Sequence, residues 1–341
     1  MSISTPSFHL RTLALVALST ATVMALTSCS RGEDTAPSES TVAAFAEPVS
    51  ITNCDRPATF DAPPQRIVSM NDHVTETLIQ MGVGDRIVGM GYGEKQDPLP
   101  EVAEQFKAIP SLAAEYPTFE QIRDLDPDLV VGGMRSAFDD KNGLGRDRLE
   151  ENGIETFLFS EYCTAGFSDL GVLRTDFTQL GDILGVPEAA EELTMSITDR
   201  LDAVRERLDA AGIEPTRTFF YDSGEDQPFT VGGVGIGNLI GEYARAQNIT
   251  PEGPKPYFTT SWEVVGERAP EAIVVLDYGD TDADGKIAYL KSQPIMATTP
   301  AIRNNRIVVV PLDDFFESSR LATSVETIAR GLHPAAFTTS G

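Results

Sequence analysis

The sequence predicts an α/β protein of two α/β lobes with central, mainly parallel sheets, joined by one long interdomain helix. Three observations carry this. Short β-branched runs alternate with helical segments in both halves of the 341-residue chain. Between the halves, Pro187 to Ala211 contains no internal Pro or Gly and places Leu193, Ile197, Leu201, Val204 and Leu208 at helical spacing. Finally, Thr118-Phe119-Glu120-Gln121-Ile122 leading to Pro127-Asp128-Leu129-Val130-Val131 is repeated, 143 residues later, by Ser261-Trp262-Glu263-Val264-Val265 leading to Pro270-Glu271-Ala272-Ile273-Val274.

Taken in order, residues 1–28 read as an export signal: His9 and Arg11 precede a mostly apolar stretch from Leu13 to Leu26, too short to serve as a membrane span. Leu26-Thr27-Ser28-Cys29 matches the lipobox of bacterial lipoproteins, which makes Cys29 the expected site of lipidation and the mature N-terminus. Residues 29–50 are rich in Ser, Thr, Ala, Glu and Pro and read as a flexible tether, spanning roughly 25 Å on average. The remaining cysteines, Cys54 and Cys163, sit in a chain sent to an oxidising compartment, so a disulfide between them is expected; two buried free thiols are the alternative.

The first lobe, 51–186, has strand-like runs at Arg66–Met70, Arg86–Met90, Asp128–Gly132 and Glu155–Phe159. Asn71 and Asp72 are placed to cap a helix stopping at Gly82, and a second helix runs from about Leu144 to Gly153. The strut occupies 187–212, with Pro187 in its first turn and Gly212 at its end. The second lobe, 213–333, has strands at Arg217–Tyr221, Ala272–Asp277 and Arg306–Val310 and a helix from about Ser318 to Arg330, leaving 334–341 as a tail. In each copy of the repeat, Thr118 or Ser261 is an N-cap and Glu120 or Glu263 lies in the first turn. A carboxylate at the same place on each lobe suits a pair of arginine-binding pegs on a partner.

Composition removes several function classes. With 26 Lys+Arg against 52 Asp+Glu the formal charge is −26, which argues against a nucleic-acid partner. The three histidines are unpaired in sequence, so no direct metal site is expected. Ser69 or Ser223 with His73 or His333 lacks a GxSxG elbow, and Gly232-Gly233-Val234-Gly235-Ile236-Gly237 has the wrong spacing for a dinucleotide loop. Those glycines instead suit close backbone approach and the start of a helix. No enzyme is expected.

Over about 52–333 the chain resembles the helical-backbone substrate-binding proteins of ABC importers, which take ferric siderophores, haem or cobalamin. The matching stretches are Arg66 to Gly82, the two Glu-to-Pro copies, Gln227 to Gly232, and Asp313-Asp314-Phe315-Phe316-Glu317. The resemblance implies an extracytoplasmic, lipid-anchored monomer that clasps a metal chelate between its lobes and docks through Glu120 and Glu263 on a permease served by ATPase subunits. Apart from the lipid, no covalent cofactor is implied. By matched position it points to Asn71, Asp72, Tyr92, Phe229, Tyr257, and Asp314 or Phe315 as cleft residues. Arg135 joins them from its place at the carboxyl edge of a strand. With only six Lys and an acidic field, a neutral or cationic ferric hydroxamate is favoured over a catecholate; cobalamin, haem or another cofactor-like solute are the alternatives.

Overall fold

Thirteen strands appear in the computed structural model, which describes residues 43–92, 97–163 and 169–338. The export signal, Cys29 and most of the expected tether lie outside the described residues. Chain order begins with β1 (Val49–Asn53) and β2 (Arg56–Phe60), an antiparallel hairpin. Its two-residue turn is Cys54-Asp55, both at positive φ (52° and 62°), the backbone that matches the right-handed twist of the flanking strands. The tether therefore ends earlier than residue 50. Phe45 already packs on the core and its N–H bonds Asp61 O at 2.9 Å, because pairing with β2 gives this polar segment hydrogen bonds that composition does not reveal.

The first lobe contains β3 (Ile67–Ser69), β4 (Ile87–Gly91), β5 (Ser111–Ala113), β6 (Leu129–Gly132) and β7 (Glu155–Leu158), all parallel in the order β5-β4-β3-β6-β7. Helices cover both faces, as buried parallel strands demand. The Asn53 side chain closes the β7 edge like a short extra strand: it donates to Leu158 O (2.8 Å) and accepts from Leu158 N (2.9 Å). Beside it, Cys54 and Cys163 are joined in a disulfide spanning 109 residues of sequence.

The second lobe contains β8 (Thr216–Ser223), β9 (Phe229–Val231), β10 (Ala246–Asn248), β11 (Tyr257–Thr259), β12 (Ala272–Asp277) and β13 (Ile307–Pro311). Strands β10, β8, β12 and β13 pair in parallel, while β9 and β11 add antiparallel pairs. The glycine run allows the close approach its composition suggests. A Cβ on Gly232 would fall 2.0 Å from Lys255 O, and one on Gly233 2.0 Å from Pro251 O.

Helix Pro187–Ala210 has 24 residues, roughly 36 Å, with Pro at its start and Gly212 at φ +61 just beyond its end. It buries Ile197, Leu201, Val204 and Leu208, packing against helix Leu170–Leu184 of the first lobe and Leu321–Leu332 of the second. Its apolar stripe belongs to a continuous core that includes side chains from both lobes. A buried ion pair also crosses between lobes: Arg320 binds Glu76, while Asp314 accepts from Arg320 Nη1 at 2.7 Å.

The repeated segments are equivalent in backbone and in bonding. Helices Phe119–Arg123 and Trp262–Arg268 are capped by Thr118 and Ser261. Each then passes a left-handed residue, Asp126 (φ 47°) or Ala269 (φ 45°), again 143 residues apart. The acid after the proline next accepts a backbone N–H from the start of the neighbouring strand: Arg66 N to Asp128 (2.9 Å), Arg217 N to Glu271 (3.2 Å). In both copies the arginine side chain returns to a carbonyl of the turn, Asp126 O at 3.0 Å and Ala269 O at 3.2 Å. The acidic residue opening each strand thus has a structural task.

Candidate functional site

Both sheets end their parallel strands at one crevice. From the first lobe it receives Asn71 and Asp72 after β3, Tyr92 after β4, Met134 and Arg135 after β6, and Glu161 and Tyr162 after β7. The second lobe supplies Asp222 from the end of β8, Phe229 and Tyr257 from the starts of β9 and β11, Tyr278 after β12, and Leu312, Asp313 and Phe316 after β13. This is the carboxyl edge at which open α/β sheets leave space for a ligand. The crevice has two contiguous compartments of about 530 and 410 Å³, sharing Met134, Leu312 and Phe316.

The larger compartment brings together three of the residues selected from sequence. Phe229 and Tyr257 stack with ring centroids 5.9 Å apart, a flat apolar wall. Arg135 lines the same compartment, its guanidinium donating to Tyr162 O (3.0 Å) and Cys163 O (3.1 Å). It therefore braces the disulfide-linked loop as well as offering charge. The smaller compartment brings together Asn71, Asp72 and Tyr92. Tyr92 has φ +58 and sets its ring edge-on to Tyr116 at 4.8 Å; burial pushes its hydroxyl up to about 12. Asn71 makes no cap bond. Its Oδ1 accepts from Gly133 N (2.9 Å) and its Nδ2 donates to Tyr116 OH (3.3 Å), tying the loops after β3 and β6 together.

Asp314 and Phe315 are the exceptions. The chain leaves β13 in a tight 3₁₀ turn, Leu312–Phe315, and becomes extended at Phe316. Leu312, Asp313 and Phe316 line the crevice, while Asp314 pairs with Arg320 and Phe315 is fully buried against Phe220 (5.7 Å). The crevice is lined from this segment by the neighbouring side chains, because the sequence pattern there does not distinguish a strand end from a turn.

Residues not singled out by sequence complete the walls. Tyr278 donates to the carboxylate of Asp222, which also accepts from Ser223 Oγ at 2.7 Å. Behind it, Lys286 lies 4.0 Å from the Tyr278 ring centroid with its Nζ bonded to Leu276 O, and burial lowers its pKa. At the opposite wall Glu161 reaches across to the second lobe, accepting from Ile236 N (2.9 Å) and Glu317 N (3.3 Å); Glu317 in turn accepts from Glu161 N (3.0 Å). Burial pushes Glu161 up to about 7. Glu317 is raised further, by burial first and then by the carboxyls of Asp176 and Glu161. Around the crevice carboxylates outnumber cations, Arg135 and Lys255 being the basic lining residues among those described.

Glu120 and Glu263 are exposed, each in the first turn of its helix. Glu120 is 3.8 Å from Arg148, whose guanidinium covers the Phe119 ring. The Glu263 carboxyl is held below its usual range by its own backbone N–H and the Ser261 hydroxyl. Among the described residues no helix is long and apolar enough to cross a membrane.

A model of the periplasmic binding protein family matches residues 67–313. The vitamin B12-binding protein of Vibrio campbellii is 26% identical over 247 residues, 72% of this chain and 81% of that protein. The uncharacterized ABC transporter substrate-binding lipoprotein YvrC of Bacillus subtilis is 22% identical, with 94% of this chain and 96% of that protein covered. Among solved structures, a periplasmic binding protein from Veillonella parvula superposes with TM-score 0.76 at 25% identity, covering 84% of this chain and 98% of that one. An ABC-type Fe3+-hydroxamate transport system structure from Saccharomonospora viridis gives TM-score 0.71 at 23% identity, covering 84% and 99%.

Proposed function

The chain belongs to the periplasmic binding protein family, a family of solute-binding proteins, and from that premise we propose that it captures a cobalamin-class corrinoid and delivers it to an ABC permease. One observation carries the reading: a crevice walled by stacked rings and carboxylates from both lobes, poor in cations. A corrin presents a broad face to aromatic walls, a cationic metal at its centre, and peripheral amides that donate to carboxylates. Haem propionates and catecholates bring added negative charge to an already acidic site and lose free energy there. The name of the Vibrio relative supports the same choice. A ferric hydroxamate is the second reading, favoured by the same acidic field, since its weakly charged shell enters at little electrostatic cost.

Binding here needs no bond rearrangement. The solute enters between the lobes, the rings take its flat face, and the polar groups fix its orientation. The interlobe helix and shared core restrict closure to a small angle. In this reading Cys29 carries the lipid that holds the protein at the outer face of the cytoplasmic membrane. Glu120 and Glu263 meet permease arginines, and ATP is hydrolysed by separate subunits.

The test is a titration of the purified protein with cyanocobalamin, a ferric hydroxamate and haemin, followed by absorbance and by thermal unfolding. Cyanocobalamin is expected to bind and, at 100 times its Kd, to add about 2.7 kcal/mol of stability. Binding of the hydroxamate alone transfers the site to the second reading, and binding of haemin alone refutes the electrostatic argument.

A further inference from the structure

His73 and Asp313 meet at the wall of the smaller compartment, one from the first lobe and one from the second. His73 is 1% exposed and neither of its ring nitrogens makes a hydrogen bond; Asp313 Oδ2 is likewise buried without one. Buried polar atoms are costly when left unmatched, so the meeting of these in a ligand crevice marks a place where a solute group completes them. The ring is well fixed. It packs against Phe316 with centroids 4.6 Å apart and the rings tilted by 32°, and its Nε2 lies so close over Gly133 that a Cβ there would fall 2.0 Å away. Nδ1 is therefore the nitrogen turned toward Asp313, 3.9 Å from Oδ1, too far for a direct hydrogen bond.

Resting on the corrinoid reading above, we propose that His73 and Asp313 form a donor–acceptor subsite that grips one primary carboxamide of the solute. The ring N–H donates to the amide carbonyl and the Asp313 carboxylate accepts the amide N–H. Charged groups satisfy half of this pair at most. An anionic group satisfies the ring N–H but is repelled by Asp313, with Asp72, Glu115 and Asp280 on the same compartment wall. An ammonium group satisfies Asp313 and leaves the ring without an acceptor. A carboxamide carries one acceptor and one donor side by side in a plane and completes both. The pair spans the lobes, so the same group that satisfies it also joins them.

The probes are cyanocobalamin and the set of its monocarboxylic acids, each with one peripheral amide hydrolysed, titrated by absorbance against the whole exported domain. One acid is expected to bind about 100-fold more weakly than the parent, because a site built to pair both ends of an amide rejects a like-charged replacement. Asp313→Asn, whose side-chain amide donates to a carboxylate, should remove that discrimination. His73→Phe should weaken the parent by about 10-fold. Equal binding of all the acids by the unaltered protein overturns the subsite while leaving the corrinoid reading intact. Absence of binding by any corrinoid overturns both. The discrimination is read on the unaltered protein, so the result does not depend on how well either variant folds.

Discussion

Glu161→Gln should remove a loss of stability that the parent protein suffers as pH rises from 5 to 8. The carboxyl of Glu161 rises from an ordinary 4.5 to about 7, chiefly through burial. Between those values the folded protein holds a proton that the unfolded chain has released. This contribution to stability is therefore complete below pH 4.5 and is lost as pH rises through 7. At about 1.4 kcal/mol for each tenfold change, the loss is about 3 kcal/mol. Glutamine carries no charge, but its single acceptor oxygen serves only one of the two N–H groups, Ile236 N on Oε1 or Glu317 N on Oε2, so the variant loses one hydrogen bond at every pH. Denaturant titrations followed through Trp262, the sole tryptophan, at pH 5 and pH 8 read the effect directly. Relative to the parent, the variant should start about 1 to 3 kcal/mol lower at pH 5 and gain about 2 to 3 kcal/mol by pH 8. Since the bonds cross between lobes, the parent should also open more readily at the higher pH, which small-angle scattering resolves. An identical pH dependence in both proteins would falsify the assignment of this cost to Glu161.

Two further outcomes follow from the same structure. Removing the cross-link with Cys54→Ser and Cys163→Ser should cost about 4 to 5 kcal/mol, because it frees a loop of 109 residues in the unfolded chain, and denaturation with and without reductant checks it; a loss under about 1 kcal/mol shows that loop closure is not the main effect. Replacing both Glu120 and Glu263 by Ala should abolish solute uptake into cells or permease-stimulated ATP hydrolysis while leaving solute affinity unchanged, since both side chains are exposed and line neither compartment of the crevice; loss of affinity instead counts against their role as pegs.

Local chemistry alone determined a large part of this molecule. The strut was legible because an apolar stripe without Pro or Gly, opened by Pro187 and closed by Gly212, admits few other conformations. The repeat was legible because capping, first-turn acid and strand-opening acid are all set within a dozen residues, and the structure adds the matched left-handed residues Asp126 and Ala269. Asn71, Tyr92 and Phe229 were reached through the family resemblance, by matched position, and all three line the crevice. Long-range contact decided the rest. Whether Phe315 or Phe316 lines the crevice depends on the phase of a 3₁₀ turn, and Asp313 is distinguished from Asp314 only by the presence of Arg320. Glu161 and Glu317, 156 residues apart, acquire raised pKa values only when the lobes exclude water around both. His73 and Asp313 lie on different lobes, and no periodicity couples them. Sequence fixes what each segment does with its neighbours, whereas desolvation and the pairing of charges depend on which surfaces the folded chain brings together.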